Sequence, residues 1–323
     1  EAWCLERQAS GSTTGAEKSA RERLENLLCG EVQSYLEVAV EYGRFGLYAE
    51  ACAVLELYNR GVPERRAAYP MVDYFLGYYV EKLGGDALPH VQRASEAAPD
   101  FVFPHRLEAE AALRRALQLA PQDARARYYL GNLLCAKDRP EEALALWEQA
   151  APKLQGFSVV HRNIGRARWK VKEDPDAAIR AYEQALAADP NDYKLYFELN
   201  RILAACGLRE RQDRLIQIIP PALLENDVIA ELVAAHHIDA GRFDEALQIL
   251  TSVRFYPWEV YKGVRLLYVD ANVGKGIVLL GEGRFAEAAD SFRRVFEYPR
   301  NIGVGEPTNR ANAEALCRIG LAL

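Results

Sequence analysis

The chain has 323 residues, half of them apolar and 27% charged, with a formal net charge of −6. That is the profile of a soluble globular protein. The acidic balance argues against a dedicated nucleic-acid binder, which carries a basic face. No apolar run approaches the roughly 18 residues needed to span a bilayer, and the opening EAWCLERQAS is charged where a signal peptide is apolar. The first residue is Glu and Met71 is the only methionine, so the expectation is a piece cut from a longer chain. Six cysteines (Cys4, Cys29, Cys52, Cys135, Cys206, Cys317) are scattered without a Cys-x-x-Cys pair. Cys52 and Cys135 fall in helical apolar patterns, where a free thiol behaves as a small hydrophobe. A reducing, cytoplasmic setting fits this usage, although a disulfide between two of the six stays open.

Residues 1–31 read as the end of a preceding repeat or a linker helix. From Val32 a small residue followed four positions later by a bulky one recurs at a period of about 34 residues, the mark of stacked helical hairpins. In repeat one Tyr35, Val38, Ala39 and Tyr42 lie on helix A, Gly46 is in the turn, Ala51, Leu55 and Tyr58 lie on helix B, and Pro63 closes it. Repeat two has Leu76-Gly77, then Ala87, Val91, Ala94 and Pro99 after a turn that reads two residues short, so the two repeats occupy 32–99. Residues 100–122 supply only helix B slots (Ala109, Leu113, Ala116, Pro121), with Pro104 placed to open a helix. They read as a degenerate half-repeat or a single long helix.

Residues 123–225 hold repeats four to six. The fourth is the most regular, with Leu130-Gly131, Ala143, Trp147 and Ala150. The fifth has Ile164-Gly165, Ala178, Tyr182, Ala185 and Pro190, and the sixth keeps Tyr196, Leu199 and Gly207 but places Gln212 in the small slot. Residues 226–323 hold repeats seven (Gly241, Ala246, Leu250) and eight (Gly276, Gly283, Ala288, Phe292), with loop insertions and a truncated final helix from Asn312. The small residue lets two helices cross closely and the large one fills the adjacent hole. The expected fold is an all-α, right-handed superhelical solenoid of about seven to eight units, some degenerate.

This pattern resembles the tetratricopeptide repeat, whose helix A carries a large residue, Leu-Gly and Tyr, and whose helix B carries Ala, Phe, Ala and a closing Pro. A narrower resemblance rests on YPMVDYFLGYYVEKLG (69–84), FVFPHRLEAE, ARYYLGNLLCAKDRPEEALALWEQA, RFYPWE and FEYPRNIGVGEP, taken in that order. As a set they resemble the tail of bacterial proteins with a DUF5107 domain, from about Gln33 to Leu323. The resemblance implies a mutarotase-like β-sandwich ahead of the repeats and a carbohydrate-related context.

Catalytic signatures are missing. VGKG (273–276) lacks the first glycine and the Ser/Thr of a phosphate loop. His236 and His237 point about 100° apart on a helix and cannot share a metal face; His237 takes the slot of the repeat's tyrosine and reads as packing. Glu141-Glu142, Asp174 and Asp176 sit at helix starts, where they complement the dipole. No cofactor or metal site is predicted, and the fragment reads as non-enzymatic.

Two surfaces are candidates for binding. Helix A positions facing the inner surface of repeats four to six include Tyr128, Asn132, Arg162, Asn163, Arg166, Trp169, Lys170, Lys194, Phe197 and Arg201. Cations among aromatics and amides suit an acidic or C-terminal carboxylate peptide. Asn132, Asn163 and Lys194 coincide with slots of the carboxylate clamp of chaperone-binding repeats, whereas Tyr128 and Glu198 stand where that clamp has a lysine and an arginine. The second surface comprises two Gly- and Pro-bearing loops, with Tyr256, Trp258 and Glu259 in one and Tyr298 and Asn301 in the other, suited to a sugar or peptide or else to plugging the core. The preferred expectation is a protein-interaction or scaffolding module whose groove takes a partner peptide or an N-terminal domain of the same protein. The rival is an accessory part of a carbohydrate-active enzyme, and a third reading is a spacer or dimerising array.

Overall fold

The computed structural model describes residues 15–60, 69–98, 101–256 and 263–305. All regular structure among them is helical and none is strand, so the all-α solenoid fold is what the chain adopts. Expectations placed on Cys4, Pro63, Pro99, Trp258, Glu259, Cys317 and the final helix from Asn312 lie outside the described residues. The chain divides into two compact units, Glu1–Ala178 and Ile179–Leu323.

The first unit contains α1 (Gly15–Leu28), α2 (Val32–Arg44), α3 (Tyr48–Arg60), α4 (Pro70–Lys82), α5 (Leu88–Glu96), α6 (Glu108–Leu119), α7 (Ala124–Ala136), α8 (Pro140–Ala150) and α9 (Ser158–Lys170), and reaches into α10 (Pro175–Ala188). Helices pair as α2–α3, α4–α5 and α7–α8, and α6 lies singly against α4, α5 and α7. Pro104 does not open α6, which starts at Glu108. The residues ahead of α6 alternate instead: Val102 and Pro104 are buried while Phe101 and Phe103 are exposed, the period of an extended segment. The turn of repeat two is also longer than expected. α4 ends at Lys82 and α5 begins at Leu88, with Pro89 in its first turn, so Ala87 precedes its helix.

The second unit contains the rest of α10, then α11 (Tyr193–Ala205), α12 (Arg209–Gln217), α13 (Asp227–Asp239), α14 (Phe243–Ser252), α15 (Gly263–Gly281) and α16 (Phe285–Arg294), with short 3-10 turns at Pro221–Glu225 and Arg300–Ile302. Here α11–α12, α13–α14 and α15–α16 pair, and α13 also lies against α11 and α15. Its main core joins Ala230 and Ala234 of α13 to Ala246 and Leu250 of α14 and to Val264, Tyr268 and Ala271 of α15.

One turn chemistry closes most hairpins. After α2, Gly46 at φ 74° donates its N–H to Gly43 and Leu47 donates to Tyr42, which satisfies two carbonyls left over at the helix end. The same pair of bonds recurs after α13, from Gly241 to Ile238 and from Arg242 to His237. Between α7 and α8 the left-handed position is held by Asp138 at φ 56°.

The small residues do the packing work expected of them: Ala51, Ala143, Ala178, Ala246 and Ala288 are all fully buried. The bulky partners seat on a glycine of helix A. A Cβ on Gly131 would lie 2.5 Å from the Trp147 indole nitrogen, and one on Gly276 would lie 2.6 Å from the Phe292 ring. Cys52 is buried, and burial first, then the Glu56 charge, pushes its thiol up to about 11. Cys135, expected to be buried, is exposed because it falls on the solvent side of the last turn of α7.

Candidate peptide-binding surfaces

The predicted inner-surface residues divide between the two units, and in the first unit they divide again by role. Tyr128 is not a surface residue: it is 2% exposed, edge-on to the Phe157 ring at 5.1 Å. The helix that carries it, α7, is buried on nearly every side because α6 and α8 both pack on it, so its inner face is covered. Asn132 is half-buried, and its carbonyl oxygen accepts from the Trp147 indole N–H and from the Asn163 amide, both at 3.1 Å. The two asparagines therefore link α7, α8 and α9.

What remains on α9 is a cationic face. Its sequence SVVHRNIGRARWK contains no carboxylate. Arg162, Arg166 and Lys170 recur every four residues and so share one side of the helix, with Trp169 beside them. Arg162 and Trp169 are half-buried, while Arg166 and Lys170 are exposed. Arg168 points elsewhere and bonds Glu148 of α8 at 2.8 Å. The acid of this unit that looks most like chemistry is structural: Asp123 caps α7 at the Ala126 N–H, 2.9 Å, and accepts from the buried Tyr74 hydroxyl at 2.8 Å. Burial raises its pKa against the pull of those bonds.

In the second unit Lys194, Phe197 and Arg201 are all exposed on α11. The Arg201 guanidinium lies 5.8 Å from the Phe197 ring centre. Glu198 accepts from the Tyr182 hydroxyl at 2.9 Å. Of the loop residues, Asn301 is engaged inside the fold, donating at 2.8 Å to the carbonyls of both Leu250 and Val253 at the end of α14. Tyr298 is half-buried under Arg265, whose guanidinium stands 4.4 Å from its ring centre. Tyr256 is 63% exposed.

A cleft that sequence reasoning missed brings Phe197 and Tyr256 together. It measures about 830 Å³ and is walled by α11, α12 and α13. Gln212, in the slot that other repeats give to alanine, reaches Asn200 of α11 at 3.1 Å. His236 stands 3.1 Å from Asp213 of α12 across the same space. Its neighbour His237 is half-buried and also an acceptor: Arg242 Nε donates to its Nδ1 at 2.9 Å, and burial and then the Arg242 charge lower its pKa. No single motif marks this cleft; its signal was the Gln212 departure. Among the described residues no group of three or more His, Cys, Asp or Glu is placed to hold a metal, and no helix is long and apolar enough to cross a membrane.

Comparison with known proteins agrees with the helix pattern. A family model described as Tetratricopeptide repeat matches residues 107–162, and a second of the same description matches 163–207 and 234–302. Among solved structures, YrrB, described as a TPR protein with an unusual peptide-binding site, is 18% identical with a TM-score of 0.43, covering 66% of this chain and 100% of its own. A tetratricopeptide repeat protein from Parabacteroides merdae is 13% identical with a TM-score of 0.37, covering 90% and 98%. The MamA protein is 17% identical with a TM-score of 0.34, covering 57% and 87%. With helix pairs, turn chemistry and repeat matches in agreement, this chain carries tetratricopeptide repeats.

Proposed function

We propose that the chain is a non-catalytic protein-interaction module that holds an acidic peptide segment along α9. The observation that carries this reading is the carboxylate-free α9, with Arg162, Arg166 and Lys170 on one side and the Trp169 ring beside them. Arginine forks pair with carboxylates through charge-assisted hydrogen bonds, and an indole supplies apolar area next to them. A repeat array offers extended surface of this kind rather than an enclosed reaction pocket. The segment belongs either to a separate protein or to an N-terminal domain of the same protein, as the DUF5107-like segments suggest, in a cytoplasmic setting. The carbohydrate-linked alternative draws no comparable support, because Tyr298 and Asn301 are engaged within the fold.

The test is fluorescence anisotropy with a labelled peptide alternating leucine and glutamate. Binding should weaken with added salt and be lost in Arg166→Glu/Lys170→Glu, both exposed positions. Equal binding by that variant, or by a peptide with glutamine in place of glutamate, overturns the reading.

A further inference from the structure

The cleft of the second unit has the opposite electrostatics. Its floor is made by α13, DVIAELVAAHHID, a helix with apolar residues on two sides. Ala230 and Ala234 face the core, while Val228, Leu232 and Ala235 line the cleft. Phe197, 38% exposed, and Tyr256 form aromatic walls. Four carboxylates, Asp213, Asp227, Glu231 and Asp239, line it against the single cation Arg209. Asp213 is partly committed to His236, Asp227 to the Val228 and Tyr256 N–H groups at 3.0 and 3.3 Å, and Glu231 is not free either. Arg254, 5.2 Å from the Tyr256 ring centre, and Arg201, 5.8 Å from the Phe197 ring centre, add two cations beside the aromatic walls. Asp239 is exposed and has no ion pair among the described residues.

We propose that this cleft is a second binding site, which takes a cationic segment of a partner protein with apolar residues between its charges. Charge complementarity selects the occupant. Lysine and arginine lay their aliphatic stems on apolar surface while the charged head reaches outward, and here the floor is Val228, Leu232 and Ala235 with carboxylates around it. The volume lies in the range of well-formed ligand pockets and suits a few side chains rather than a whole helix. The site uses no residue of α9, so it stands or falls apart from the reading above.

The probe is a labelled, amidated hexapeptide alternating leucine and arginine, added to the full chain, with its leucine–glutamate counterpart as control. The arginine peptide should bind and weaken with salt. Asp239→Asn and Glu231→Gln should each weaken it by about fivefold, and Tyr256→Ala, at an exposed position, should weaken it as well. Arg166→Glu/Lys170→Glu should leave it unchanged. Equal binding to the Glu231→Gln/Asp239→Asn variant, or loss of binding in the α9 variant, overturns the proposal. So does a sedimentation result in which the wild type is a dimer and the cleft variant a monomer, because the occupant is then a second copy of this chain.

Discussion

Replacing Gly131 by alanine tests the packing rule on which the whole array rests. The new methyl would stand 2.5 Å from Trp147 Nε1 and 2.7 Å from its Cδ1, whereas ordinary contact begins near 3.4 Å. The indole is 3% exposed and has no free space to enter, so it must retreat by about 1 Å or tilt. Overpacking of this kind costs about 1–3 kcal/mol. The retreat also stretches the indole N–H bond that Asn132 and the Tyr128 carbonyl share at 3.1 and 3.3 Å, about 1 kcal/mol more. Alanine returns about 1 kcal/mol of helix propensity. The net loss is about 2 kcal/mol, confined at first to the α7–α8 pair, since repeats contact mainly their neighbours. Urea unfolding of the full chain, with hydrogen exchange resolved over α7 and α8, reads both the size and the place of the loss. Gly156→Ala is the reference: nothing lies within 4 Å of its Cβ position, so its effect should stay within about 0.5 kcal/mol. If Gly131→Ala proves as stable as Gly156→Ala, the bulky-on-glycine account of these hairpins is wrong.

Three further predictions follow from other parts of the structure. Asp138→Gly should stabilise the chain by about 1 kcal/mol, because Asp138 holds a left-handed turn position at φ 56° that glycine fills without steric cost; a lower urea midpoint refutes this. Cys52, buried and pushed up to about 11, should resist maleimide under native conditions at mildly alkaline pH while the exposed Cys29 and Cys135 react, as mass spectrometry of the labelled chain would show; equal labelling refutes it. Glu81 of α4 accepts from Arg115 of α6 at 2.7 Å, and that bond holds its carboxyl below the usual range. A lowered folded pKa means that the unfolded chain binds the extra proton, so the stabilisation is complete above the ordinary glutamate value and is lost as pH falls through the folded one. The stability gap between wild type and Arg115→Ala should therefore shrink on acidification, and a gap independent of pH refutes the assignment.

What could be read from the sequence was what neighbouring residues decide. The glycines at 46, 207, 241 and 283 all take left-handed φ, and the helix B alanines are buried, since both depend on contacts inside one hairpin. Tyr128 was misplaced because its exposure depends on Phe157 and on the single helix α6, neither of which the regular pattern contains. Asn132 looked like a ligand group for the same reason: its amide is used by Trp147 and Asn163, one from the next helix and one from the helix after that. Phe197 and Tyr256 were each noticed, but on separate surfaces. Only the tertiary fold puts them on one cleft.

The origin of that cleft lies in a single departure from the packing rule. An alanine in the helix B slot lets the two helices of a hairpin close on each other, as Ala143 and Ala246 do without any exposure. Gln212 cannot do so, and its amide spans to Asn200 instead at 3.1 Å. Helix α12, RERQDRLIQ, then buries only Leu215, so little apolar surface draws it down. The outer side of α13 is left facing space, and Asp213 of α12 with Asp227, Glu231 and Asp239 of α13 gives that space carboxylate walls. A substitution that weakens one hairpin thus creates a surface with a defined charge and an apolar floor.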